Sequence, residues 1–192
     1  NEAAVIFMAG HETTANTRAG TWFLLSQSPR VLNKLHAEID ATLGDRTPTF
    51  KDIASLPYAR AVLEETLRLY PPVPILAREA TQDTLISNKK IRKGSLVLVV
   101  PWLMHRNPVL WDLPDTFWPE RFLQDSMKPN KYGYVPFSIG PRICPGLQFG
   151  MTESILSLVM LARQFDLRLK PGTEVQPVCR LTLRPGETLP MI

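Results

Sequence analysis

Cysteine is scarce in this sequence. There are two, Cys144 and Cys179, with no C-x-x-C pair, and the three histidines (His11, His36, His105) hold no metal-site spacing to either. A structural zinc site is therefore a poor reading. A disulfide between the two cysteines stays open but unsupported, and a reducing compartment fits at least as well. Long apolar runs are missing too: none reaches the ~20 residues that cross a bilayer. The opening residues, NEAAVIFMAGHETTANT, lack the basic region and cleavage site of a secretory signal. That carries little weight, because the chain starts inside an element. Charge of one sign is also slight. The 22 basic and 18 acidic residues leave +4, and they are interleaved rather than clustered with aromatics. Nucleic acid is thus not an expected partner, while a small basic patch suits docking of an acidic protein. There are no repeats and no low-complexity tracts.

What the sequence does hold is apolar patterning. With 44% hydrophobic residues over 192 positions, it can bury the core of one ordinary domain. Residues 1 to about 26 read as one long, largely apolar helix, with Asn1 as a cap, interrupted by the polar cluster Gly10-His11-Glu12-Thr13-Thr14. Ser28-Pro29 predicts an N-cap followed by proline, and Gly44 a stop. Between them Leu35, Ile39 and Leu43 recur every four residues, while Lys34, Glu38 and Asp40 face water. A helical turn over 51–56 and a helix over 58–70 follow, ended by Pro71-Pro72. Strands are predicted over 75–80, 84–86 and 96–100, with Lys93-Gly94 as a turn. Residues 101–136 are dense in Pro, Trp and Phe with poor periodicity, which reads as an ordered but irregular connector. A loop over 137–146 leads into a helix over 147–164. The tail alternates enough for two or three short strands, with turns at Pro171-Gly172 and Pro185-Gly186. The sum is an α+β chain, mainly helical, with small β-sheets.

The loop from Phe137 to Gly146, FSIGPRICPG, carries the most chemistry. A cysteine just ahead of a helix has its thiolate stabilised by the helix N-terminus and by free backbone N–H groups. Gly140 and Gly146 permit a tight turn and the close approach of a flat ligand. Phe137 can cover the sulfur, and Arg142 can pair with a carboxylate on such a ligand. An isolated cysteine is more often a packing residue. The whole pattern reverses that judgement, because F-x-x-G-x-R-x-C-x-G matches the signature of the cytochrome P450 family at every specified position. The chain resembles that family, with Ser138, Ile139 and Pro141 at variable positions. The resemblance implies haem b, its iron held by the Cys144 thiolate.

Three further segments resemble the family in the order it requires. Glu65 and Arg68 lie three apart on one helical face, by themselves a solvated pair of little value. Together with Pro119-Glu120-Arg121-Phe122 they resemble the family's E-x-x-R and P-E-R-F motifs, which implies a structural trio of Glu65, Arg68 and Arg121. Ala9 to Thr14 resembles the A-G-x-[D/E]-T-[T/S] segment of the helix crossing the distal haem face. Gly10 lowers helix stability there, and Thr13 can bond the Ala9 carbonyl and loosen the helix locally. Taken alone, an ordinary helix explains these residues equally well. The resemblance implies a notch for dioxygen in which Glu12 and Thr13 deliver protons. Along the segment after Pro72 it implies that Arg78 joins Arg142 in pairing with the two haem carboxylates. Ile75, Leu76 and Ala77 become substrate-pocket candidates, with His11 and the turn over 181–183; core packing explains each of them too. His105 reads as a structural hydrogen-bonding residue, and Cys179 as a small packing residue. Gly150 stands where alanine is common, and Glu153 keeps an acid found slightly further on.

The resemblance implies a monooxygenase that places one atom of O2 on a small lipophilic substrate, with electrons from NAD(P)H through a flavoprotein or ferredoxin. A peroxygenase or isomerase of the haem-thiolate kind, or a non-catalytic haem-binding fragment, are the other readings. Family members extend further at the N-terminus, so residues 1–192 read as the C-terminal part of one domain whose N-terminal half is a needed partner. Alone, the chain is expected to retain haem poorly and to turn over little. Its location, in the cytoplasm or on the cytoplasmic face of a membrane, stays open.

Overall fold

The first helix, α1 (Glu2–Ser26), runs unbroken through the polar cluster that the sequence marks as an interruption. The hydroxyls turn inward on the helix's own carbonyls: Thr13 Oγ1 donates to Ala9 O at 2.7 Å, Thr17 to Thr13 O at 2.9 Å and Thr21 to Thr17 O at 2.8 Å. Each satisfies a hydroxyl without opening the ladder. The protein is seen here as a computed structural model describing residues 2–124 and 131–192; Asn1, expected as a cap, and the connector's 125–130 lie outside the described residues.

Helix α2 (Pro29–Leu43) sends Val31, Leu35, Ile39 and Leu43 into the core and stops at Gly44, whose φ of 52° suits glycine. Glu38, expected in water, is half-buried instead. Its carboxylate accepts the backbone N–H groups of Tyr58 and Ala59 at 2.6 and 2.8 Å. It thereby caps α3 (Pro57–Leu69), whose own N-cap, Leu56, offers no side-chain acceptor. A 3-10 turn over Phe50–Ser55 precedes α3, closed by a capping box of Thr49 and Asp52.

After the proline pair, β1 (Leu76–Glu79) pairs antiparallel with β4 (Leu96–Val99), and β2 (Thr84–Ile86) with β3 (Lys89–Ile91). Strand β3 escapes sequence reading because Lys-Lys-Ile has weak strand character. The β2–β3 hairpin turns through Ser87 and Asn88, both at positive φ (47° and 63°). The connector opens with one helical turn, α4 (Pro101–Met104), where its poor periodicity predicts irregular chain.

Helix α5 (Leu147–Gln164) has the expected bounds and buries Met151, Ile155, Leu158 and Val159 against the other helices. Leu25, Leu35, Leu56, Leu63 and Ile155 form the heart of this core, each at most 1% exposed. The tail gives two short strands, β5 (Val178–Cys179) and β6 (Leu183–Arg184), plus a lone pairing of Leu169 with Met191. The β5–β6 hairpin reverses over 180–182, where Arg180 N–H bonds Thr182 O, ahead of the turn expected at Pro185-Gly186. Cys179 is exposed on β5, which corrects the packing role read for it, and both thiols are free.

Candidate functional site

The loop around Cys144 is shaped by its backbone. Ser138 and Gly140 both adopt left-handed conformations (φ 62° and 72°), which turn the chain back so that Cys144 N–H reaches Phe137 O at 2.9 Å. The thiol is half-buried, and α5 begins three residues on, bringing its positive end close to the sulfur. A side chain at Gly146 would put its first carbon 3.7 Å from Sγ. A side chain there would rest in ordinary contact with the sulfur.

Cys144 opens on a cavity of about 240 Å³. Phe137 and Arg142 of the same loop line it, as do Ala9, Thr13 and Thr14 of α1. Thr17 continues this stripe, which the i, i+4 spacing from Thr13 signals in the sequence. Gly150 of α5 also faces the cavity; a first side-chain carbon there would lie 4.0 Å from Thr14 Oγ1, so the alanine common at this position would fit. Leu76 closes one edge.

Strand alternation divides the substrate candidates. Leu76 lines the cavity, whereas Ala77, on the opposite strand face, and Ile75, just ahead of the strand, are exposed. His11 stacks on Phe7, with centroids 6.1 Å apart, on an exposed stretch of α1. Leu181, at the hairpin tip, is 82% exposed.

Two arginines meet at the cysteine loop, Arg142 from within it and Arg78 from β1. Arg142 lines the cavity, and Arg78 lies on the rim, its guanidinium bonded to Ala77 O at 2.8 Å and reaching Ser138 Oγ at 3.4 Å. Both remain exposed.

Glu12 and Thr13 are neighbours in sequence but not in surroundings. Thr13 lines the cavity, while Glu12 Oε1 accepts from Arg184 Nη2 at 2.6 Å and Thr182 Oγ1 at 2.7 Å. The Arg184 bond, aided by Thr182, holds the Glu12 carboxyl below its ordinary range. Sequence reading misses Arg184 and Asn16 and assigns the 181–183 turn, which holds Thr182, to the pocket, because nothing local links the tail to α1.

Behind the cavity Glu65 sits between two guanidinium groups. Arg68 donates to its oxygens at 2.7 and 2.8 Å, and Arg121 at 3.2 Å; none of the three residues is more than 1% exposed. Trp118 N–H adds a further bond to Glu65 at 2.9 Å. His105 completes the support: its carbonyl accepts from Arg68, and its Nε2 accepts Val135 N–H at 3.0 Å, just ahead of Phe137. Burial pushes its pKa down to about 4, so the ring is neutral.

Among the described residues no group of three or more His, Cys, Asp and Glu could hold a bare metal ion. A metal carried inside a ligand that supplies its other donors needs only one protein side chain, and Cys144 offers one. A flat haem with carboxylates at its edge fits that requirement: one thiol, a mostly apolar cavity and two exposed arginines.

The Cytochrome P450 family model matches residues 1–188. Cyclooctatin synthase of Streptomyces melanosporofaciens is 38% identical over 97% of this chain and 41% of its own length. Putative cytochrome P450 132 of Mycobacterium bovis is 37% identical over 96% of this chain and 40% of its own. The heme domain of cytochrome P450DA superposes with a TM-score of 0.89 at 34% identity, covering 95% of this chain and 41% of that one. The chain thus spans about two-fifths of the length of these relatives. No helix of the described residues is long and apolar enough to cross a membrane. On the match across nearly all its length, and on a fold shared with a solved heme domain, this chain belongs to the cytochrome P450 family.

Proposed function

We propose that the chain forms the haem-binding part of a monooxygenase that places one atom of O2 on a small lipophilic substrate. The observation that carries this reading is that Cys144 and Thr13 line one and the same cavity. Haem bound there would supply O–O cleavage, favoured by electron density from its sulfur ligand. Cys144 would hold the iron as a thiolate, with Phe137 shielding the sulfur. Arg142 and Arg78 would pair with the haem carboxylates as forked donors. Thr13 would hold a proton at Oγ1, releasing its bond to Ala9 O when it donates, and Glu12 would renew that proton. Leu76, Pro72 and Val73 give the cavity an apolar edge that favours a lipophilic guest and disfavours water. Electrons would come from NAD(P)H through a separate flavoprotein or ferredoxin.

The relatives are longer than this chain, and the first turns of α1 are apolar on all sides and uncovered, as additional chain would cover them: Val5, Ile6, Phe7 and Met8 are 66–74% exposed. Without that cover, haem retention is expected to be poor and turnover slight. The test uses the complete protein loaded with haem and supplied with its electron donor. Thr13→Ala should cut product formation by roughly a hundredfold, in the range of a lost proton donor, and divert the electrons into free hydrogen peroxide. Unchanged coupling would remove the proton role.

A further inference from the structure

Glu12 is bound to the far end of the chain, to residues 170 and 172 positions away. The bonds run in a fixed direction. Asn16, one turn beyond Glu12 on α1, donates from Nδ2 to Thr182 Oγ1 at 2.9 Å, so the Thr182 hydroxyl hydrogen is free to point at Glu12. Arg184 donates to the same carboxylate oxygen from the next strand position on that side. Thr182 is 6% exposed, which keeps water from taking its place. The hairpin has a second attachment: Leu183 N–H bonds Pro72 O at 2.9 Å, and Pro72 lines the cavity. Residues on either side of Leu183 therefore hold the acid, while Leu183 itself holds the cavity wall. Leu181 projects from the tip of the same hairpin.

We propose that Arg184 and Thr182 are positioning residues for Glu12, so that the β5–β6 hairpin sets where its carboxylate rests and when it can serve Thr13. This rests on the reading of Glu12 and Thr13 as a proton relay. With the hairpin in place the carboxylate is ionised and fixed away from the cavity. When the hairpin shifts, Glu12 is released, takes a proton from solvent and passes it to Thr13. The ionisable groups around Glu12 are Arg184 and His11, with Glu187 acting on Arg184 from the same hairpin. Because Pro72 and Glu12 are tied to one hairpin, a guest that displaces the cavity wall also loosens the acid.

The experiment compares Arg184→Met, Arg184→Lys, Glu12→Gln and the Glu12→Gln/Arg184→Met double variant in the complete haem-loaded protein with its electron donor. Peroxide released per NAD(P)H and the solvent isotope effect on kcat report proton delivery. A carbon-13 titration of the Glu12 carboxyl, identified by its loss in Glu12→Gln, reports position without turnover. Arg184→Met should raise the Glu12 midpoint toward the ordinary carboxylate range and change the peroxide fraction roughly threefold, the scale of a partly exposed ion pair. Arg184→Lys should recover most of both effects, and Arg184→Met should add nothing on the Glu12→Gln background. A shifted midpoint with unchanged isotope effect and peroxide overturns the positioning role while leaving the relay intact, provided Glu12→Gln itself uncouples. Equal loss of haem content on both backgrounds, with no shift in the midpoint, overturns it as mere scaffolding. If Glu12→Gln and Thr13→Ala leave coupling untouched, the relay fails and the proposal fails with it.

Discussion

Arg121 Nε lies 3.2 Å from Glu65 Oε1, on a carboxylate that Arg68 already grips through both oxygens. Two cations and one anion share a site closed to water, and the surplus positive charge is spread over backbone oxygens. Arg68 donates to the carbonyls of His105, Pro114 and Thr116, and Arg121 to that of Asp112. The trio fastens α3 to the connector that leads to the cysteine loop. Removing the anion would leave two guanidinium groups facing each other in the core. Glu65→Gln is therefore expected to cost about 3–5 kcal/mol in denaturant unfolding, the range for a broken buried pair. A loss below about 1 kcal/mol would show that the trio is not what holds the connector.

His105 should make stability fall with acid. Folded, its pKa is about 4; its ordinary value is 6.5. Between those values the unfolded chain binds a proton that the folded chain refuses. Its contribution is thus whole above about pH 6.5 and is lost progressively as pH falls toward 4, by at most ~3 kcal/mol. His105→Gln keeps an acceptor for Val135 N–H but cannot titrate. Unfolding free energies measured from pH 7 to 4 should show a flatter profile in the variant, and parallel profiles would contradict this.

Ser138 holds a positive φ of 62° without being glycine. Ser138→Gly should stabilise the loop by about 0.5–1 kcal/mol, since its 3.4 Å contact with Arg78 is exposed and weak. Ser138→Val should be destabilising, because a β-branched residue suffers most there. Thermal melts of the two variants would read the opposite signs, and equal effects would show that the loop relaxes.

Glu38 caps a helix to which it does not belong. Glu38→Ala leaves the Tyr58 and Ala59 N–H groups without their acceptor and should cost about 1–2 kcal/mol, the scale of a lost N-cap. Glu38→Gln keeps one acceptor oxygen and should lose less. Helix α3 carries Glu65 and Arg68, so amide exchange there should accelerate in Glu38→Ala.

What was legible in the sequence is what short range decides. The bounds of α5, the loop around Cys144 and the Glu65–Arg68 spacing all depend on residues within a few positions of one another. Glu38 was misplaced in water because its partners lie about twenty residues on, in another helix. Ile75 and Ala77 were grouped with Leu76 because alternation says that neighbours differ but not which one faces inward. That phase comes from pairing with β4, where Leu76 meets Val99 and Ala77 meets Leu98. The exposed position of Cys179 and the hold of Arg184 on Glu12 follow from where a two-strand hairpin lands on α1, which no local pattern encodes.

The role proposed for Cys144 is to hold the haem iron. The most direct test is the ferrous carbon monoxide spectrum of the complete haem-loaded protein, compared among wild type, Cys144→His, Cys144→Ser and Cys179→Ser. The wild type and Cys179→Ser should both show the red-shifted band that a thiolate ligand produces. Cys144→His should move that band to the unshifted position of an imidazole-ligated haem, and Cys144→Ser should lose it. Retention of the red-shifted band in Cys144→Ser would contradict the assignment.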